Sequence, residues 1–343
     1  MALQKAGKRI IAKVKQAPYL FGIVAILGIA AGCIIVPAQN VIRHPVDFGW
    51  HDPESVVQVQ GAQINESSGI AVSGKDSSTF FTHNDSGDTA RFFKFNSGGT
   101  LLGTFTLAGA TAFDWEDMAS AKVGGIDYLY FGDIGDNNLV RSSIKVYRVS
   151  EPSGSGGPIA DFDTYTLTYP DGPHNAEVLM VHPRSGDITI VTKTSSEPSK
   201  VFRVAAPPAS GSYSLTLIGV ISFPSNLSLG KLATAGDISA DGFRVVLRTY
   251  LAAYEYAAPK KFDDWMKSQP RSIATPAEAQ GEAICYSRDG MTLYTTSEGS
   301  PMPLNKIEGS PKLNPAVEND CVRDRQRIMR PFRRAKRQAE RQL

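Results

Sequence analysis

Five times along this chain, a polar or acidic residue opens a short run of small and apolar residues. A turn follows, and a second short run ends in another polar cluster. The openings are Glu66-x-Ser68, Asp114-x-Glu116, Asn175-x-Glu177, Ala235-x-Asp237 and Gln280-x-Glu282, aligned at separations of 48, 61, 60 and 45 residues. Each interval holds four strand-like segments, for example VLMVH, DITIVTK, KVFRV and SLTLIGVIS after Glu177. Four short antiparallel strands per unit make a repeat in which no unit can bury its own faces, the pattern of propeller blades. The last copy (AICYS, LYTTS, LNKIE) is one strand short, and SVVQVQ at Ser55–Gln60 can supply that strand from the other end of the chain. The expected fold is therefore all-β: a β-propeller of five four-stranded blades, with six as the alternative, preceded by one N-terminal hydrophobic helix. Ordinary hydrophobic content and a net charge of +2 over 343 residues fit one large domain and give no reason to expect a nucleic-acid partner.

If the first strand of each blade lines the channel, Ser68, Glu116, Glu177, Asp237 and Glu282 form a ring around the axis. Four carboxylates in one channel repel, and burial raises the cost of keeping them ionised. A hard cation relieves both penalties, and oxygen donors without Cys or His suit calcium. The alternative is that these acids cap strand starts. Ends of second strands form an outer ring: His83-Asn84-Asp85, Asp133, Lys193, Arg248 and Glu298, with Asp88, Arg91, Asp136 and Arg141 in adjoining loops. Acids beside Lys and Arg at a channel mouth can hold metal and phosphate together. NDSGD (Asn84–Asp88) and DIGDN (Asp133–Asn137) read either as short calcium loops or as Asp/Gly turns.

Residues 1–17 carry five Lys/Arg and no acid, and 19–36 are almost wholly apolar. This is an export signal or membrane anchor with the body outside the cytoplasm. An uncleaved anchor, a cleaved signal and a lipoprotein whose mature chain begins at Cys33 all remain open. The expected layout is a signal or anchor over 1–38, a linker over 39–54, the propeller over 55–310 and a basic tail over 311–343, where Val322–Leu343 carries nine Lys/Arg. Ser153–Pro158 reads as a flexible loop, KKFDDWMK at Lys260–Lys267 as a short inserted helix with Trp265 packing down, and Cys285 as a buried small hydrophobe.

The motifs ESSGIAV, THNDSGD, DWEDMA, YFGDIGDN, YPDGPHNAE, QGEAI and TTSEG, in this order, resemble a family of exported bacterial propellers labelled phytase-like or esterase-like. The resemblance covers about Glu66–Leu304. The series at the openings is also similar to the central calcium site of the calcium-activated nucleotidases (apyrases), five-bladed propellers with Ser, Glu, Glu, Ser, Glu there. Asp237 departs from that series. This similarity implies calcium at the five positions and no catalytic assignment.

Three functions are compatible with these features. One is a calcium-dependent phosphoric-ester hydrolase acting on a phosphorylated small molecule, with Asp114, Glu66 or Asp133 as base and Arg91, Arg141, Lys193 and Arg248 as the anion clamp. The second is a non-catalytic cell-surface binding propeller. The third is a carboxylic-ester hydrolase, for which no triad or nucleophile elbow is visible. A monomer, attached to the membrane only through its N-terminal segment, is expected.

Overall fold

The outer strands of a repeat alternate buried and more exposed residues, as in LLGTFTL at Leu101–Leu107, whereas first strands such as SSGIAV and AEVLMV are buried throughout. Strands of the second kind have both faces covered, and in the computed structural model they line the axis of a ring of five sheets. The structure describes residues 47–312 apart from 197, 259, 260 and 279. These residues fall within one compact unit. The expected N-terminal hydrophobic helix, Cys33, Cys321 and the basic tail lie outside them. Among the described residues, no helix is long and apolar enough to cross a membrane.

The chain begins with β1 (Asp47–Trp50) and β2 (Glu54–Val59). Blade I is β3 (Ser67–Val72), β4 (Thr79–Asn84), β5 (Arg91–Asn96) and β6 (Leu101–Leu107). Blade II takes β7 (Trp115–Val123), β8 (Ile126–Asp133), β9 (Ile144–Ser150) and, after β10 (Gly156–Ile159), β11 (Asp163–Thr168). Blade III takes β12 (Ala176–Val181), β13 (Ile188–Thr192), β14 (Ser199–Val204) and, after β15 (Gly211–Ser214), β16 (Thr216–Ile221). Blade IV is β17 (Ala233–Ile238), β18 (Arg244–Thr249), β19 (Ala253–Ala257) and β20 (Arg271–Ile273); blade V is β21 (Gly281–Tyr286), β22 (Thr292–Ser297) and β23 (Met302–Lys312). The ring closes as the repeat count requires, with β2 pairing antiparallel to Met302–Lys306 of β23. β1, inside the stretch expected to be linker, extends that edge by pairing with Gly309–Lys312.

The expected flexible loop at Ser153–Pro158 is instead partly a strand. β10 adds in parallel to the outer edge of blade I, and β15 does the same to blade II. The connections before the last strands of blades II and III thus each lend a strap to the preceding blade and cover an edge that would otherwise expose unpaired N–H and C=O groups. The inserted segment of blade IV forms a 3-10 turn, Phe262–Lys267, with Trp265 fully buried.

Five apolar clusters fill the five gaps between neighbouring blades. Near the axis there is little room. A Cβ on Gly69 would sit 2.7 Å from the Met118 amide nitrogen, and one on Gly236 would sit 2.9 Å from Val178. Cys285, on an innermost strand, is buried.

Candidate metal centre at one mouth of the channel

Every innermost strand carries a β-bulge near its start. Register skips between Ser67 and Gly69, Trp115 and Met118, Ala176 and Val178, Ala233 and Ala235, and Gly281 and Ala283. A bulge leaves one residue unpaired and re-aims its side chain. The re-aimed residues are Ser68, Glu116 beside Asp117, Glu177, Thr234 and Glu282. Four of the five expected ring positions coincide with these unpaired residues, whereas on β17 the unpaired residue is Thr234 and not Asp237. Thr234 takes the place assigned to Asp237, and the series becomes hydroxyl, acid, acid, hydroxyl, acid.

Asp237 lies further along β17, at the opposite mouth, where it lines a cavity of about 270 Å³ with Lys122, Tyr286 and Arg288. Its carboxylate accepts the backbone N–H of Ile238 (2.7 Å) and, across the blade gap, that of Tyr286 (2.8 Å). Burial pushes this carboxyl up to about 7, against the opposing pull of those two N–H groups and of Arg288. Asp117 is a similar staple on the axis: it accepts N–H groups from Met118, Leu179 and Gly236, joining blades II, III and IV. A sequence signal does separate the two kinds of position. The re-aimed residues Ser68, Glu177, Thr234 and Glu282 each precede the next turn residue, Ser73, His182, Ser239 and Ser287, by five positions.

At the bulged mouth, oxygens of Asp85, Asp114 and Glu116 all lie within 4.8 Å of one another. Two calcium–oxygen bonds span about 5 Å, so one such ion can touch all three. Among the described residues no side chain donates to Asp114 or Glu116. The backbone leaves this space deliberately open at Gly135: a Cβ there would sit 2.2 Å from Glu116 Oε1 and 2.3 Å from Asp114 Oδ2. Burial first, then mutual repulsion with Asp85, pushes Asp114 up to about 6. Glu116 is held well above the ordinary carboxylate range by burial and by Glu177, Asp85 and Asp114, and Asp85 is shifted the same way by burial. Arg141 opposes the shift of Asp114, and Lys193 those of Glu116 and Asp85, without cancelling them, and an all-oxygen donor set of this kind fits a hard divalent cation. Asp85 was visible in the sequence only as part of an outer ring; the turn between β4 and β5 brings it inward.

The rest of the ring is neutralised differently. The Lys193 ammonium pairs with Glu177 and donates to Tyr250 Oη at 2.8 Å, over whose ring it also sits. These contacts hold Lys193 firmly charged. Glu282 is raised by burial while Lys193 opposes the shift. Glu177 Oε2 is buried without a partner among the described residues.

The expected anion clamp is largely committed to the fold. Arg248 is fully buried: Nη1 donates to Ala283 O at 2.9 Å, Nη2 pairs with Glu278, and Gly281 leaves the room for it, joining blades IV and V. Arg141 pairs with buried Asp133 at 2.8 Å, donates to Gly135 O at 2.7 Å and lies over Phe113. Asp133 in turn accepts the backbone N–H of Asp114 at 3.1 Å. Both residues therefore position the cluster instead of offering a free base or clamp. Arg91 pairs with Asp88, which also accepts from Asn84, so the NDSGD loop is tied by its own side chains. In DIGDN, Asp136 accepts the N–H groups of Val140 and Arg141 as a turn cap. Glu66 stands exposed at the rim.

The sequence matches no family model and no curated protein. Among solved structures, the chain is similar to a gluconolactonase from Xanthomonas campestris at 13% identity, over 71% of this chain and 72% of that one, with a TM-score of 0.41. A likeness of this extent carries no chemistry from one protein to the other.

Proposed function

We propose that the protein is an extracytoplasmic, cation-dependent hydrolase of phosphoric esters, with calcium the cation that its donor set suits and the acidic mouth as its reaction centre. The observation that carries this reading is the cluster of Asp85, Asp114 and Glu116, close enough to share one ion and kept open by Gly135. A bound divalent cation supplies charge neutralisation for a phosphate and makes a neighbouring water more acidic. Asp85 and Glu116 hold the cation. Asp114, the third carboxylate of the cluster, would take the proton from a water held there. Lys193, fixed by Glu177 and Tyr250, contributes a stationary positive charge beside the cluster. Arg141 and Asp133 hold the loop that carries Gly135 and the backbone of Asp114. The localisation, and attachment through residues 19–36, follow from the basic and apolar N-terminal pattern.

One observation favours a second reading, a non-catalytic propeller that binds its ligand through the cation: Arg248 and Lys193 are engaged inside the fold and leave phosphate binding to the cation. Phosphate release by the full-length protein from nucleotides, inositol phosphates and aryl phosphates, with calcium and with chelator, separates the two. The hydrolase reading expects turnover that chelator abolishes. Bound calcium with no turnover on any of the three classes leaves the binding module.

A further inference from the structure

The two mouths of the channel differ in their apolar surface. Ten large hydrophobic residues are exposed among those described, and six of them sit on loops at the mouth that holds the carboxylates. Phe113 (63% exposed) directly precedes Asp114, and Leu139 and Val140 (71%) follow Asp136 in the loop that carries Gly135. Leu227 (64%), Leu229 and Leu251 form a second group on the far side of the ring, between blades III and IV and at the turn after β18. The latter two loops touch: a Cβ on Gly230 would meet Leu251 at 3.4 Å. Leu251 also adjoins Tyr250, which holds Lys193. Of the remaining four, Leu102, Leu217 and Val220 lie on outer strands and only Ile126, the first residue of β8, lies at the opposite mouth. Single exposed apolar side chains need no explanation, but a concentration of them around one polar centre does. The backbone supports this arrangement at a cost. Leu139 is the one described non-glycine residue with positive φ (54°), a conformation that costs an L-residue roughly 1–2 kcal/mol, and its amide closes a turn on Asp136 O at 3.0 Å.

We propose that this mouth takes an amphiphilic ligand: an oxygen-rich anionic group meets the carboxylate-bound cation while an attached alkyl or aryl part lies on the apolar rim of Phe113, Leu139 and Val140 or of Leu227, Leu229 and Leu251. Cleavage of such a molecule rests on the hydrolase reading; its binding does not. A compact, fully hydrophilic phosphate leaves the rim without a role, whereas an amphiphile uses both surfaces together. The same chemistry is offered by a dissolved amphiphile and by a lipid in a bilayer.

The test uses the calcium-loaded full-length protein with butyl phosphate and octyl phosphate, both below their micellar concentrations. Binding is measured by equilibrium dialysis and turnover by phosphate release. Full burial of a methylene is worth about fourfold in affinity (~0.8 kcal/mol), so even partial burial of the four extra methylenes makes octyl phosphate bind at least tenfold more tightly. A Val140→Ser/Leu229→Ser double variant should lose most of that gain and keep the wild-type affinity for butyl phosphate. Chain-length-dependent binding without turnover sustains the amphiphile site and defeats the hydrolase reading; turnover with equal affinity for both chains does the reverse. In a third arm, sedimentation with phosphatidylcholine vesicles that the double variant weakens, together with no chain-length preference for dissolved phosphates, would overturn the proposal in favour of bilayer docking at the rim; association through residues 19–36 is common to both proteins and cancels in the comparison. A preference that survives the double variant unchanged would overturn the assignment of the rim.

Discussion

Gly135 and Arg248 show how a single position decides what this mouth can do. Gly135 is the point at which the DIGDN loop comes closest to the acid cluster, and a methyl group there would occupy the space between Asp114 and Glu116. Gly135→Ala should abolish calcium-dependent stabilisation while costing the fold only about 1–3 kcal/mol, the scale of local overpacking; melting curves with and without calcium check both parts. For Arg248 the sequence suggested an anion clamp at the channel mouth. Because it is buried, bonded to Ala283 O and paired with Glu278, removing it strands a buried carboxylate. Arg248→Ala should destabilise the protein by about 3–5 kcal/mol, read from the urea midpoint. Asp237 gives a pH signature at the opposite mouth. Its carboxyl is shifted upward in the folded state, so the folded protein binds the proton more tightly than the unfolded chain. Its contribution to stability is complete below about 4 and is lost as pH rises towards about 7. Stability measured from pH 4 to 8 should fall less steeply in Asp237→Asn than in the wild type; equal slopes would contradict the shift.

Among the elements, the closing edge has the clearest consequence. Val59 is fully buried where β2 meets Met302, and Trp50 of β1 donates to Glu255 of blade IV. The ring is thus closed through side chains as well as through β pairing. Val59→Asp places an unpaired charge in that seam. Amide exchange should rise first in Met302–Lys312, while β12 and β13 in blade III keep their protection. The bulges are equally specific devices. Without the extra residue, β7 would present Glu116 to the neighbouring strand instead of the channel, since one step of register reverses the face of every side chain.

At the scale of the molecule, cation binding and stability are linked. An ion present at a hundred times its dissociation constant adds about 2.7 kcal/mol, several degrees in Tm for a domain of this size. Glu116→Gln should remove most of that response. Glu177→Gln should remove less, because Glu177 is already neutralised by Lys193. Calorimetry of the three proteins with calcium and with chelator provides the measurement, and an equal loss in both variants would move the ion to the centre of the ring.

The repeat spacing alone pointed to five blades and to the closing strand, and marked Ser68, Glu116, Glu177 and Glu282 as equivalent positions, because strand length and turn position are local properties that recur with each unit. Which acid belongs to the ring was decided by the bulges, which shift register by a residue that acid type does not reveal: Asp237 and Thr234 are three positions apart and lie at opposite ends of one strand. Which cation neutralises which carboxylate was also beyond the sequence. Lys193 reaches Glu177 from the neighbouring strand and Tyr250 from the next blade, whereas Asp85 meets Asp114 and Glu116 across the gap between blades I and II. Those distances exist only once the ring has closed, because closure brings together side chains that local strand pairing leaves unrelated.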